Sequence, residues 1–86
     1  MNGRALLAWN LRRLRTERGV SQEKLAADTG VDRAYVSDLE RELGNPTIDL
    51  LDRLAECLDA EIGDFFTAPA AGAAAPKPLP SGRKAR

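Results

Sequence analysis

The stretch SQEKLAADTGVDRAYVSDLE, residues 21–40, decides the fold, because it carries the same helix-start signal twice. Ser21 and then Asp32 can each cap a helix, and apolar residues flank both of them at the two places of a hydrophobic staple. Between the two signals stands Gly30, which ends the first helix in a left-handed conformation. The stretch therefore predicts two short helices joined by a tight turn.

Upstream of this stretch, one apolar stripe predicts another helix. Leu7, Leu11 and Leu14 follow the i, i+4, i+7 spacing of a single helix face, over about residues 4–18. Gly19 then ends the helix in the left-handed conformation. No part of the chain shows the sustained alternation of apolar and polar residues that is typical of strands. We therefore expect an all-α protein.

Downstream, a loop and two further helical segments are expected. Residues 43–46 are predicted to form a loop by their Gly-Asn-Pro content, and Thr47 then caps a fourth helix. The apolar residues of this helix keep helical spacing and are Ile48, Leu51, Leu54, Ala55 and Leu58. A last turn over about residues 61–66 would cover the core with Phe65 or Phe66. The predicted architecture is a compact five-helix domain.

Charge divides the 86 residues into a body and a tail. Residues 1–66 hold nine Lys and Arg against all 13 acids, a net charge of −4, whereas residues 67–86 hold four bases and no acid. The tail is rich in Ala and Pro and has almost nothing large and apolar to bury, so it cannot offset the entropy cost of ordering. We predict one folded domain over residues 1–66 and a basic, disordered tail over residues 67–86.

The composition also excludes several kinds of site. The chain has no His and one Cys, so neither a disulfide framework, a metal nor a cofactor is expected, and Cys57 is expected to be a buried or half-buried helix residue. No nucleophile stands with a base and no Gly-rich phosphate loop is present, which argues against an enzyme. Without a long apolar run or a signal-peptide pattern, we expect a soluble, cytoplasmic protein with no membrane partner.

Residues 7–66 resemble the helix-turn-helix domain of phage repressors and Cro, the xenobiotic-response-element (XRE) family. The matching segments are RRLR at 12–15, ERGVSQEKLA at 17–26, GV at 30–31, YVSDLER at 35–41 and NPT at 45–47. The resemblance implies a repressor-like five-helix fold in which the third helix enters the major groove of DNA and the second lies across the phosphate backbone. It further implies a sequence-specific transcriptional regulator, a repressor or autoregulator, that acts as a homodimer on an inverted-repeat operator.

The resemblance also implies a set of contacts to double-stranded DNA. The positions that face bases, or lie beside those that do, are Arg33, Ala34, Ser37 and Asp38. The positions expected near the backbone are Gln22, Tyr35, Arg41 and Asn45. Arg33 is the first candidate because a guanidinium can bond O6 and N7 of guanine together. The alternatives are that Arg33 is only a solvated helix residue, that Asp38 pairs with Arg41, and that Tyr35 is packing.

Arg15 and Glu40 match a pair that, in the family, bridges the first helix to the end of the third inside the body. We expect a structural ion pair here that orients the recognition helix more than it stabilises the fold. Two departures from the family weaken the DNA contacts: Glu42 stands where Gly is common, and the body is acidic although phosphate binding needs Lys and Arg. The basic tail could supply the missing contacts, or it could be only a linker.

The sequence indicates less about the surface that would bind a second copy of the chain or another protein. Trp9 and Leu50 fall outside the predicted apolar stripes, so they form either an interface or a partly buried part of the body. We expect a homodimer formed through the C-terminal helices. The alternative function is a protein-binding adaptor or antitoxin-type subunit that uses the same fold to hold a protein partner, which the acidic body favours.

Overall fold

The computed structural model describes residues 1–73, and over this range the prediction of an all-α fold is confirmed. Four α-helices are followed by a short 3-10 helix where a fifth helix was predicted. The helices are α1 (Gly3–Glu17), α2 (Gln22–Thr29), α3 (Arg33–Glu40) and α4 (Ile48–Cys57), and the 3-10 helix is Ile62–Phe66. No helix within these residues is long and apolar enough to cross a membrane.

Side-chain caps start two of the helices as predicted. The Ser21 hydroxyl accepts a hydrogen bond from the backbone N–H of Lys24 at 3.0 Å, and the Thr47 hydroxyl accepts one from Leu50 at 3.0 Å. The prediction that Asp32 caps α3 with its carboxylate is wrong, because its side chain makes no cap hydrogen bond and stays exposed. Only its backbone carbonyl accepts from the first turn of α3.

One apolar core joins all five helices. Its fully buried side chains are Leu11, Leu25, Val36, Leu39, Leu54, Leu58 and Phe65. Of the two aromatic residues that could cover the core, Phe65 is buried and Phe66 is 40% exposed. The 3-10 helix packs against α1 and α4, so it closes the end of the core away from α3.

The buried stripe of α4 differs from the prediction. Ile48 is 66% exposed and Leu50 is 7% exposed, so the assignment of Ile48 to the inner face is wrong and Leu50 takes its place. Leu50 lies one turn before the fully buried Leu54 and therefore on the same side of the helix, whereas Ile48 falls at the edge of that side. Of the two alternatives for Leu50, burial in the body is therefore correct and an exposed interface is not.

A buried amide holds the chain that follows the 3-10 helix against α1. The side-chain Nδ2 of Asn10 donates to the carbonyl oxygens of Leu6 at 2.9 Å, Phe65 at 3.0 Å and Thr67 at 2.9 Å. Asn10 is 1% exposed. Trp9 beside it is half-buried in a groove between α1 and residues 67–73. The predicted disordered tail therefore begins with residues held along α1, and its four bases lie outside the described residues.

Cys57 is exposed, so the prediction of a buried or half-buried cysteine is wrong. Its position on α4 lies off the stripe that contains Leu54 and Leu58. The pKa of its thiol is raised, first by partial burial and then by the nearby carboxylates of Asp28 and Glu56. The thiol therefore stays protonated at neutral pH and is a weak nucleophile.

Candidate nucleic-acid interface

Helix α3 is anchored along one side and open along the other. Its inner side carries Val36 and Leu39, which are 0% and 1% exposed. The other side carries the four predicted base-contact residues: Arg33 and Ala34 are exposed, and Ser37 and Asp38 are half-buried. The three-residue turn between α2 and α3 and the packing of α3 on α1 and α2 fix the direction of this open side.

A buried carboxylate joins the first three helices. The side chain of Glu40 is 0% exposed, and Arg15 donates to it from Nε at 2.6 Å and from Nη2 at 2.9 Å. This two-bond arrangement is the strong geometry for a guanidinium and a carboxylate. Arg15 also donates to the carbonyl oxygen of Val20 at 3.0 Å, at the end of the connection from α1 to α2. The two residues of the predicted ion pair therefore lie in direct contact.

The Glu40 carboxylate orients Gln22, and Gln22 in turn orients Arg33; both are predicted DNA contacts. Gln22 donates from Nε2 to Oε1 of Glu40 at 3.0 Å, and its Oε1 accepts from Nη1 of Arg33 at 3.2 Å. A carboxylate only accepts and a guanidinium only donates, so the two partners fix which way the amide points. The first residue of α2 thus holds the first residue of α3.

Asp38 and Arg41 pair with each other, as the alternative from the sequence stated. Arg41 donates from Nη2 to Oδ1 of Asp38 at 3.0 Å, and solvent reaches 60% of the Arg41 side chain and 42% of the Asp38 side chain. Exposed ion pairs contribute about 0–1 kcal/mol, so either partner can exchange this contact for another at little cost.

Tyr35 and Arg4 hold the loop between α3 and α4. The Tyr35 ring lies over Gly44, where an added Cβ would stand 3.5 Å from Cε1 of Tyr35. Arg4 donates from Nε to the Gly44 carbonyl oxygen at 2.7 Å, a contact that the sequence patterns did not reveal. Tyr35 is half-buried, and Asn45 is exposed directly after this clamp. The loop is thereby fixed beside the open side of α3.

A family model described as helix-turn-helix, HTH_3, matches residues 11–65. This chain belongs to the helix-turn-helix family. A hypothetical transcription factor of Neisseria meningitidis is 44% identical over 55 residues, which are 64% of this chain and 52% of that protein, so the chain spans about half its length. The uncharacterized HTH-type transcriptional regulator y4dJ of Sinorhizobium fredii is 43% identical over 67 residues, 78% of this chain and 87% of that protein.

Solved structures of helix-turn-helix proteins agree with the fold. The crystal structure of the Neisseria transcription factor has a TM-score of 0.76 at 36% identity, over 81% of this chain and 80% of that chain. A structure of the biofilm regulator SinR in complex with DNA has a TM-score of 0.67 at 31% identity, over 71% of this chain and 98% of that chain. SinR of Bacillus subtilis is 33% identical over 58 residues, 66% of this chain and 52% of that protein. These relatives are named as transcription factors and transcriptional regulators, and none of them is named as an enzyme.

Glu42 lies in the loop after α3, at the position where the resemblance led us to expect Gly. Glu42 has φ 66°, the left-handed conformation that Gly takes without strain. A residue with a Cβ pays about 1–2 kcal/mol in this conformation. Glu42 therefore takes the backbone conformation that a Gly would take more easily, and its acidic side chain is exposed next to α3.

The acidic excess of the body is unevenly divided along the chain. Residues 1–45, here the N-terminal region, hold eight Lys and Arg against seven acids, a net charge of +1. Residues 46–66, here the C-terminal segment, hold Arg53 against six acids, a net charge of −5. Asp49, Asp52 and Glu56 are exposed on α4, which packs on α2 and the 3-10 helix. The acidic excess of the body is thus largest in the segment that holds α4 and the 3-10 helix.

Proposed function

We propose that this chain is a sequence-specific transcriptional regulator that places α3 in the major groove of double-stranded DNA and binds an inverted-repeat operator as a homodimer. One observation carries the proposal: the open side of α3 presents polar side chains, while its inner side is fixed by Val36, Leu39 and the buried Glu40. A rigid helix with a free polar side is what reading base edges requires.

The base contacts follow from the chemistry of each side chain. Arg33 is proposed to donate to O6 and N7 of a guanine, with its guanidinium held in place by Gln22. Ala34 would contact a thymine methyl group, and Ser37 would bond an adjacent base edge. Asp38 would accept from N4 of a cytosine once Arg41 leaves it for a phosphate.

The backbone contacts surround this face. The first amides of α2, next to Gln22, lie at the positive end of a helix and suit a phosphate. Tyr35, Arg41 and Asn45 are proposed to bind phosphates on the other side of α3, where the Gly44 clamp holds the loop. The net charge of +1 over residues 1–45 favours this approach over one through the acidic C-terminal segment.

The dimer is proposed to form through the C-terminal segment. Phe66 is 40% exposed and Ile48 is 66% exposed, and large exposed apolar side chains favour association. A two-fold dimer would place two α3 helices about 34–36 Å apart, one turn of DNA, and so read two half-sites. Binding over a promoter would repress by occlusion, and a cytoplasmic location is proposed with this role.

In vitro selection of duplexes by the full chain tests the proposal. We expect enrichment of a palindromic site whose half-site centres are about 10–10.5 base pairs apart. Mobility shifts at two salt concentrations should then show a saturable complex with the selected duplex and a weaker one with random duplex. A pool that stays random after selection would overturn the proposal.

The tail is proposed to add phosphate contacts. Lys77, Arg83, Lys84 and Arg86 follow the described residues and could neutralise phosphates beside the operator. Removing residues 74–86, which spares the chain held by Asn10, should lower affinity and flatten the slope of log affinity against log salt. An unchanged slope would make the tail a linker.

A second candidate is a regulator or adaptor that holds a protein partner through the acidic side of α4. The exposed Asp49, Asp52 and Glu56 favour this reading. A structure of SinR with the protein SinI has a TM-score of 0.64 at 32% identity, over 69% of this chain and 58% of that chain. An adaptor without DNA binding would give no selective complex in the mobility-shift experiment, which separates the two candidates.

A further inference from the structure

One oxygen of Glu40 receives more donors than it can bond well. Oε1 accepts from Nη2 of Arg15 at 2.9 Å, from Nε2 of Gln22 at 3.0 Å and from Nε of Arg12 at 3.4 Å. A carboxylate oxygen offers about two lone-pair sites, and N–H···O bonds are normally about 2.7–3.2 Å long. The two shorter bonds occupy these sites, so the Arg12 contact is the weakest of the three.

Arg12 is correspondingly the least confined member of the cluster. Its side chain is 39% exposed, against 8% for Arg15. Within residues 1–73 its guanidinium makes no other hydrogen bond or ion pair. Two guanidinium groups face one buried carboxylate, so the cluster retains one positive charge, and that charge lies on the exposed member.

The position of Arg12 places this charge beside the proposed DNA surface. Gln22 shares the Glu40 oxygen with Arg12 and also holds Arg33, the leading base-contact residue. Gln22 begins α2, whose first amides are the proposed phosphate site. The exposed guanidinium of Arg12 therefore stands on the α2 side of α3, where a DNA strand that reaches Arg33 would pass.

We propose that Arg12 is a further DNA-binding residue whose guanidinium leaves Oε1 of Glu40 and binds a backbone phosphate. The exchange costs only the longest of the three contacts, because Arg15 and Gln22 continue to satisfy Glu40. A guanidinium and a phosphate form the charge-assisted pair that suits arginine best. The inference rests on the proposed function, since the phosphate reaches Arg12 only when α3 occupies the groove.

The test compares Arg12→Met with Arg13→Met in the full chain. Each change removes one positive charge and keeps much of the aliphatic stem. Arg13 is the matched control, because its side chain is 34% exposed but binds Asn10 and Glu17 on the side of α1 that faces the residues after the 3-10 helix. Fluorescence anisotropy would follow binding to the selected duplex and to a random duplex over a range of salt concentrations.

For Arg12→Met we expect weaker binding to both duplexes by a similar factor, and a log–log salt slope that is shallower by about 0.9. Arg13→Met should keep the wild-type slope, and Arg12→Lys should keep most of it because the charge remains. Thermal unfolding of each variant shows whether it is folded, and Arg12→Gln carries the same expectation as Arg12→Met if the methionine variant does not fold.

Three results would overturn the inference. Equal slope changes for Arg12→Met and Arg13→Met would assign the effect to net charge alone. If Arg12→Met lowers the unfolding midpoint and loses discrimination between duplexes but keeps the wild-type salt slope, Arg12 serves to position Glu40 and does not bind a phosphate. A wild-type chain that binds no duplex selectively would remove the proposed function itself, and the inference with it.

Discussion

The N-terminal region and the C-terminal segment differ both in what holds them and in what they expose. In the N-terminal region, a polar cluster around the buried Glu40 ties α1, α2 and α3 together. In the C-terminal segment, apolar side chains such as Leu58 and Phe65 do this work, with the Asn10 amide closing the end. The first region carries a net charge of +1 and the second −5.

Because the charge is so unevenly divided, the average over residues 1–66 is a poor guide to the charge near any one surface. Over residues 1–66 the net charge of −4 argues against DNA, but the C-terminal segment holds six of the 13 acids and only one of the nine bases. Electrostatic attraction to phosphates depends on the charges within about a Debye length, which is about 8 Å at physiological salt. The charges next to α3, where Arg33 and Arg41 stand with Asp38 and Glu42, therefore matter more to the proposed DNA contact than the net charge of the body.

The largest expected effect tests the role of the polar cluster. Replacing Glu40 by Ala leaves Arg15 buried without its partner, which should cost about 3–5 kcal/mol of unfolding free energy. Asp64→Ala in the C-terminal segment removes a cap bond to the Glu61 backbone N–H and should cost only about 1 kcal/mol. Urea denaturation of both variants measures the two losses, and similar values would contradict a special role for the cluster.

The next effect concerns discrimination between DNA sequences. Arg33→Ala should lose about 1–3 kcal/mol of preference for one base pair in each half-site, because the proposed paired bonds to guanine are gone. Arg53→Ala removes the exposed arginine of α4 and should leave this preference unchanged. Affinities for operators substituted one position at a time provide the measurement, and equal behaviour of the two variants would argue against α3 as the reading helix.

The smallest effect uses a pair of strained residues, one in each region. Glu42 and Asp59 have φ values of 66° and 53°, so Gly at either position should raise stability by up to about 1 kcal/mol. Only Glu42→Gly removes a negative charge beside α3, and only this variant should bind duplex DNA more tightly. Denaturation measures the stability of both variants, and anisotropy titrations measure their affinity for DNA. An equal gain in DNA affinity for Asp59→Gly would contradict the claim that only Glu42 lies beside the DNA surface.

The parts of the fold that follow from neighbouring residues could be predicted from the sequence. The caps at Ser21 and Thr47 act on amides three residues away, so the sequence shows both partners of each bond. The open side of α3 follows from helical periodicity. Asp32 fitted the same local signal, but only its backbone carbonyl accepts from the first turn of α3.

Contacts between distant residues were missed, except the Arg15–Glu40 pair, which the family resemblance supplied. The carbonyl oxygens of Phe65 and Thr67, which Asn10 bonds, lie 55 and 57 residues further along the chain. The contact of Arg12 with Glu40 spans 28 residues, although Arg12 stands one helical turn before Arg15 and so on the same side of α1. That spacing was the one signal in the sequence that could have added Arg12 to the site.

The most direct test of the central claim is to map amide chemical shifts of the isotopically labelled full chain as the selected duplex is added. The account predicts the largest changes at residues 33–38 and at the start of α2, with little change over Asp49–Glu56 on the acidic side of α4. Large changes on α4 with an unperturbed α3 would contradict the claim that this helix enters the groove.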